Sequence, residues 1–153
     1  MDSLSHTDKK GNVRMVDVSE KADTARRAVA EVFVRLSEKH LAALDNLPKG
    51  DALAAATIAG IQAAKKTSEL IPLCHNVPLS DVSVDIRRET GGLRIVAAAA
   101  TTAKTGVEME ALTAVSVAAL TVYDMVKALG QDIEITGIRL LEKAGGKNDW
   151  ERT

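Results

Sequence analysis

Between residues 26 and 36 apolar side chains recur at every second position, with Ala28, Ala30, Val32, Val34 and Leu36 set against Arg27, Val29, Glu31, Phe33 and Arg35. That period predicts a strand with one face turned inward. Ahead of it, residues 13–18 place Val13, Met15 and Val18 imperfectly around Arg14 and Asp17, which suits an edge strand or an extended arm. Ser37 caps a short helix running to Asn46, and Leu47-Pro48 ends it. Asp51 then caps a second helix over about 52–70, closed by Pro72. In this helix Ala56, Gly60 and Ala64 lie four apart, a row of small residues that lets another helix approach closely. After Leu73-Cys74-His75 the period returns to two: Val82, Val84 and Ile86 alternate with polar partners, Gly91-Gly92 turns the chain, and residues 93–100 come back as a hairpin.

The longest apolar segment covers residues 104–127, KTGVEMEALTAVSVAALTVYDMVK. Thr105 and Glu108 have the spacing of a capping box, which predicts that a long helix starts there. From Ala111 to Tyr123 there is no charge and small or apolar side chains face every direction, so the helix is expected to be covered all round. A last strand is predicted over 133–141 with Ile133 and Ile135 inward, followed by Gly145-Gly146-Lys147. Strand, helix, hairpin, long helix, strand is an α+β order. It predicts a ferredoxin-like antiparallel sheet with helices on one face, and the surplus apolar surface of the long helix predicts a subunit interface. The reading is one domain over 13–147, a flexible segment over 1–12 with His6 as its titratable residue of note, and a flexible tail over 148–153.

Composition narrows the function. One Trp, one Tyr and one Phe cannot supply the stacking platform of an RNA-binding sheet, and a net charge of -1 offers no general field for nucleic acid or a membrane surface. The uncharged stretch within the long helix is shorter than the roughly 20 apolar residues a span requires. Cys74 stands alone, so no internal disulfide forms and a cytoplasmic setting is expected.

Candidate chemistry lies at the two ends of the long helix: Glu108 and Glu110 at its start, Asp124 and Lys127 at its finish. Ionisable groups bordering an uncharged run need partners or a ligand. Lysines beside turns and helix ends, Lys49, Lys65, Lys66, Lys104, Lys127, Lys143 and Lys147, together with Arg26, would make a polyphosphate site if several converged; taken singly, each is an ordinary solvated lysine. Pro48 and Gly50 single out Lys49 by the backbone they impose. His75 reads equally as a ligand contact or a packed interior residue, and one Cys beside one His makes no metal site.

Several separated motifs then resemble the MoaC family of molybdenum cofactor biosynthesis: MVDVS at 15–19, KGD at Lys49, AGIQAAKKT from Ala59, LIPLCH at 70–75, KTGVEMEALTA from Lys104 and YDMVKA from Tyr123. The resemblance runs from about residue 4 to 147. It implies conversion of 3',8-cyclo-7,8-dihydroguanosine 5'-triphosphate to cyclic pyranopterin monophosphate with release of pyrophosphate, a lyase reaction on a cyclised GTP by a hexamer of three dimers. Carried over by motif, it implies catalytic roles for Asp124, Lys49 and Lys127. It implies substrate contacts at Leu73, Cys74, His75, Met109 and Glu110, with Arg26 and Lys65 in the anionic pocket. Glu108 and Lys147 join the substrate set from their positions in the sequence. Asn76, Ala103 and Ala144 depart from the proline, glycine and serine the family commonly has there. No redox cofactor is required and no metal ligands are assigned; whether Mg²⁺ accompanies the triphosphate is left open by the sequence.

The proton transfers of such a rearrangement suit a desolvated lysine with lowered pKa, and the departing pyrophosphate needs facing cations. The competing reading is a non-catalytic oligomeric binding module, in which the apolar helix is only an interface and the lysines are exchangeable.

Overall fold

A computed structural model describes residues 6–153. Five strands, β1 (Thr24–Arg35), β2 (Leu79–Glu89), β3 (Gly92–Ala103), β4 (Glu134–Ala144) and β5 (Trp150–Glu151), form one sheet in the order β2-β3-β1-β4-β5. Every neighbouring pair is antiparallel. The helices are α1 (Glu38–Ala43), α2 (Ala52–Lys65), α3 (Thr67–Leu70) and α4 (Glu108–Val126), with 3₁₀ turns at Leu44–Asn46 and Lys127–Leu129. The fold is the expected α+β arrangement.

The period-two pattern of β1 survives intact. Ala28, Ala30, Val32 and Val34 are buried against α4, alongside Leu93, Ile95, Ala97 and Ala99 from β3. On the opposite face Glu31 is buried between Arg94 and Arg139, 3.3 and 2.6 Å away, so its charge is paired. Helix α4 crosses β1, β3 and β4, while α2 lies beside α4 and over β2. The small-residue row does what its spacing predicts: a Cβ added at Gly60 would lie 3.0 Å from the Ala114 carbonyl and 3.3 Å from the Ala118 Cβ. With so few aromatics, close helix approach is how this core fills its space.

Several expectations are corrected. The helix over 52–70 is interrupted at Lys66, which leaves helical geometry with φ -106 and ψ 9, and the buried Thr67 hydroxyl donates to the Ala63 and Ala64 carbonyls at the break. Helix α4 begins at Glu108 with Val107 as its cap residue and no side-chain cap, so the Thr105 capping box does not form. The Glu108 carboxylate instead folds over Gly106, where a Cβ would meet its Oε2 at 2.1 Å, and faces Lys143 Nζ at 3.3 Å.

Nor is α4 covered all round within one chain. Met109, Leu112, Ser116, Leu120 and Asp124, at steps of three and four, form a stripe only partly covered or open, with Leu120 59% exposed. By length and composition Glu108–Leu129 would pass for a membrane span, but its other faces are packed on three strands and α2.

Residues 13–18 form an extended arm instead of a strand, bridged at Val13 to Thr7 and tied by the Arg14 N–H to the His6 carbonyl at 2.9 Å. The expected flexible segment lies partly outside the described residues, at 1–5; beyond them Asp8 closes a turn by accepting from the Lys10 and Asn12 amides. In the tail, Trp150 and Glu151 pair with Lys143 and Glu142, adding an edge strand where a free end was expected.

Candidate active site

The N-terminal end of α4 borders a cavity of about 380 Å³. Helix α4 contributes Glu108, Met109 and Glu110, and the loop after α3 contributes Leu73, Cys74 and His75. The extended arm adds Val16 and Val18, Lys21 follows it, and His6, Thr105 and Gly106 complete the lining. The arm is held there by His75, whose Nε2 donates to the Val16 carbonyl at 2.7 Å, and by Lys104, whose Nζ donates to the Ser19 carbonyl at 2.8 Å. In the tautomer that donates from Nε2, Nδ1 is left as an acceptor.

Glu110 is 5% exposed, and burial pushes its carboxyl above the ordinary glutamate value, with Glu108 beside it adding to the shift. Burial likewise raises the Cys74 thiol, reinforced by the negative charge of Glu110. Cys74 is consequently a neutral, half-buried wall residue and not a thiolate nucleophile. Glu110 is poised to hold a proton in a wall of mixed polar and apolar residues.

A second cavity of about 210 Å³ shares Gly106 and Glu108 with the first. Arg26, Arg27, Lys143 and Lys147 surround it, and Gly145 takes part with φ +87. Only glycine fits at 145, because a Cβ would meet the Ala25 carbonyl at 2.1 Å. Arg26 donates from Nε to the Ala103 carbonyl and from Nη2 to the Lys104 carbonyl, both at 3.3 Å. Part of its guanidinium thus holds the loop leading into α4, and the rest faces the cavity.

The other end of α4 carries a different group. Asp124 accepts from Lys127 Nζ at 2.7 Å and from Lys49 Nζ at 3.0 Å, while Lys49 also donates to the Asp124 backbone carbonyl at 3.0 Å. Lys127 first, and Lys49 after it, hold the Asp124 carboxyl below the usual carboxylate range. Asp124 in turn raises Lys127. The expectation of a desolvated lysine with lowered pKa is therefore corrected for Lys127 in the single chain: its side chain is half exposed and paired with a carboxylate.

The residues singled out from sequence thus divide into two sets. Leu73, Cys74, His75, Glu108, Met109, Glu110, Arg26 and Lys147 line the paired cavities, whereas Lys49, Asp124 and Lys127 gather at the far end of α4. Lys65 is exposed in the last turn of α2 and lines neither cavity. Lys21 was not legible in the sequence; the signal for it was the MVDVS segment just before, which is an arm laid across the site.

The MoaC family model matches residues 15–146, which takes in the Lys49 group and the lining of both cavities apart from His6, Lys147 and Asn148. The chain belongs to the MoaC family. It is 54% identical over 153 residues to a cyclic pyranopterin monophosphate synthase of Corynebacterium efficiens, covering 98% of this chain and 99% of that one. The enzyme of the same name from Chloroflexus aggregans is 52% identical over 157 residues, 99% of this chain and 95% of its own. Molybdenum cofactor biosynthesis protein 1 of Drosophila melanogaster is 53% identical over 153 residues, spanning 97% of this chain and 27% of that longer protein.

Proposed function

We propose that this chain is a cyclic pyranopterin monophosphate synthase acting on 3',8-cyclo-7,8-dihydroguanosine 5'-triphosphate in molybdenum cofactor biosynthesis. The observation that carries the reading is the joining, through Gly106 and Glu108, of a cavity ringed by cations to a larger one of mixed polar and apolar lining. The Arg26, Lys143 and Lys147 cavity suits a polyphosphate. The cavity of Cys74, His75, Met109 and Glu110 suits a flat heterocycle with exchangeable protons.

Ring closure onto the α-phosphorus forms one P–O bond from a ribose hydroxyl and breaks another to pyrophosphate. Cations around the leaving group offset the charge that develops on it. Glu110, with its raised pKa, holds a proton for the ring rearrangement, and His75 Nδ1 offers an acceptor. Mg²⁺ would enter with the triphosphate as its counterion.

The Lys49–Asp124–Lys127 group reaches this site from a second subunit. Within one chain Glu110 and Asp124 are fourteen residues apart on α4, which is about 21 Å along the axis at ~1.5 Å per residue. A copy packed antiparallel on the open α4 stripe covers Leu120 and brings its own Asp124 group to the Glu110 end. Three such dimers make the hexamer, and the setting is the cytoplasm. Desolvation at that seam would also oppose the raised pKa that Asp124 gives Lys127 in the single chain.

Incubating the protein with the cyclised precursor and following pyrophosphate and pterin product tests the assignment directly. Precursor bound without pyrophosphate release would favour the non-catalytic binding module.

A further inference from the structure

His40 takes no part in either cavity, yet it is 2% exposed and both of its ring nitrogens have partners. The Ser37 backbone N–H, which can only donate, lies 3.3 Å from Nδ1, and the Ser37 hydroxyl lies 2.7 Å from the same atom. Nδ1 is therefore the acceptor, and in the neutral ring Nε2 carries the proton. That proton is donated to the Gly130 carbonyl at 2.9 Å, ninety residues away in sequence.

Both ends of this link lead to the Asp124 group. Helix α1, which His40 closes as the third residue of a capping box, runs through one 3₁₀ turn and Pro48 directly into Lys49. Gly130, at φ +144, ends the 3₁₀ turn that begins at Lys127, and its N–H donates to the Lys127 carbonyl at 3.2 Å. Lys49 and Lys127 thus arrive at Asp124 on two segments that His40 fastens together.

We propose that His40 is a positioning residue for the Lys49–Asp124–Lys127 group, acting through its Nε2–H bond to the Gly130 carbonyl. An ordinary capping residue needs only the contact to the Ser37 amide, which glutamine or glutamate makes elsewhere. The second bond has no capping purpose. A displacement of about 1 Å in such a group can cost up to 10²-fold in rate, so loss of the link has a measurable consequence.

The proposal rests on the synthase reading for its kinetic arm only. Gln and Asn divide the two contacts: His40→Gln places an amide N–H where Nε2 stands, and His40→Asn places an amide oxygen where Nδ1 stands. In full-length folded protein, His40→Asn is expected to lose at least about 10-fold in kcat with KM changed far less, and His40→Gln to lose much less. If the Asn variant does not fold, His40→Phe, which fills the space without a donor, replaces it in the comparison. The second readout needs no turnover: the Asp124 carboxyl, titrated by carbon-13 NMR, should move toward the ordinary aspartate value in His40→Asn or His40→Phe and stay low in His40→Gln. A kcat or an Asp124 titration for the Asn or Phe variant equal to or better than that of His40→Gln overturns the proposal and leaves His40 a helix cap. Absence of turnover in the unmutated protein would count against the synthase reading, with the titration still deciding the role of His40.

Discussion

Lys49 precedes Asp124 by 75 residues, yet its Nζ lies 3.0 Å from both the Asp124 Oδ2 and the Asp124 backbone carbonyl. The ammonium thereby holds the carboxylate and the last turn of α4 together. Lys127 completes the group from the same helix. Replacing either lysine by alanine is expected to lower kcat by at least about 10²-fold while leaving circular dichroism unchanged, since both side chains are half exposed within the single chain. Near wild-type kcat in either variant would remove that lysine from catalysis. Because Lys127 is the larger cause of the Asp124 shift, Lys127→Ala should raise the Asp124 carboxyl further than Lys49→Ala does.

His75 links substrate binding to the arm. His75→Ala removes both the acceptor in the cavity and the tie to the Val16 carbonyl, so kcat/KM should fall at least about 10²-fold. The freed arm should also be cut faster by trypsin at Arg14 and Lys21 than in the parent protein. Unchanged kcat/KM would make His75 a packed interior residue with no part in binding.

The raised pKa of Glu110 makes a prediction about stability. Its folded-state value lies above the ordinary value of 4.5, so the preference for the protonated form is fully present below that pH. It is lost as pH rises through the raised value, where the charged form must be held in a buried wall. Glu110→Gln is therefore expected to raise Tm at about pH 7.5, with the gain shrinking toward about pH 4, even as activity falls. Equal melting of the two proteins at both pH values would show that the carboxyl is hydrated or newly paired in the assembly.

A site shared between subunits predicts complementation. Glu110→Ala and Asp124→Ala proteins, each inactive alone, should recover part of the activity when mixed, because some mixed dimers keep one intact site. Native mass spectrometry establishes whether subunits have exchanged. Exchange without recovery would place both roles within one chain.

Local pattern alone determined β1 to β4 and most helices. The alternation in β1, the glycine turn of the hairpin and the small-residue row of α2 each depend on residues only two to four positions apart, so each is written in neighbouring letters. The family resemblance added the chemistry by motif. What remained for the tertiary structure was which distant groups meet. At the start of α4 Glu108 pairs with Lys143 of β4 in place of the Thr105 cap, and α2 ends where the Thr67 hydroxyl meets its last carbonyls inside the core. The pairing of Lys49 with Asp124, the arm across His75 and the His40 link to Gly130 follow from sheet register and the packing of α4, which bring together residues 59 to 90 positions apart. Such meetings depend on chain closure over the whole domain, and no local period encodes them.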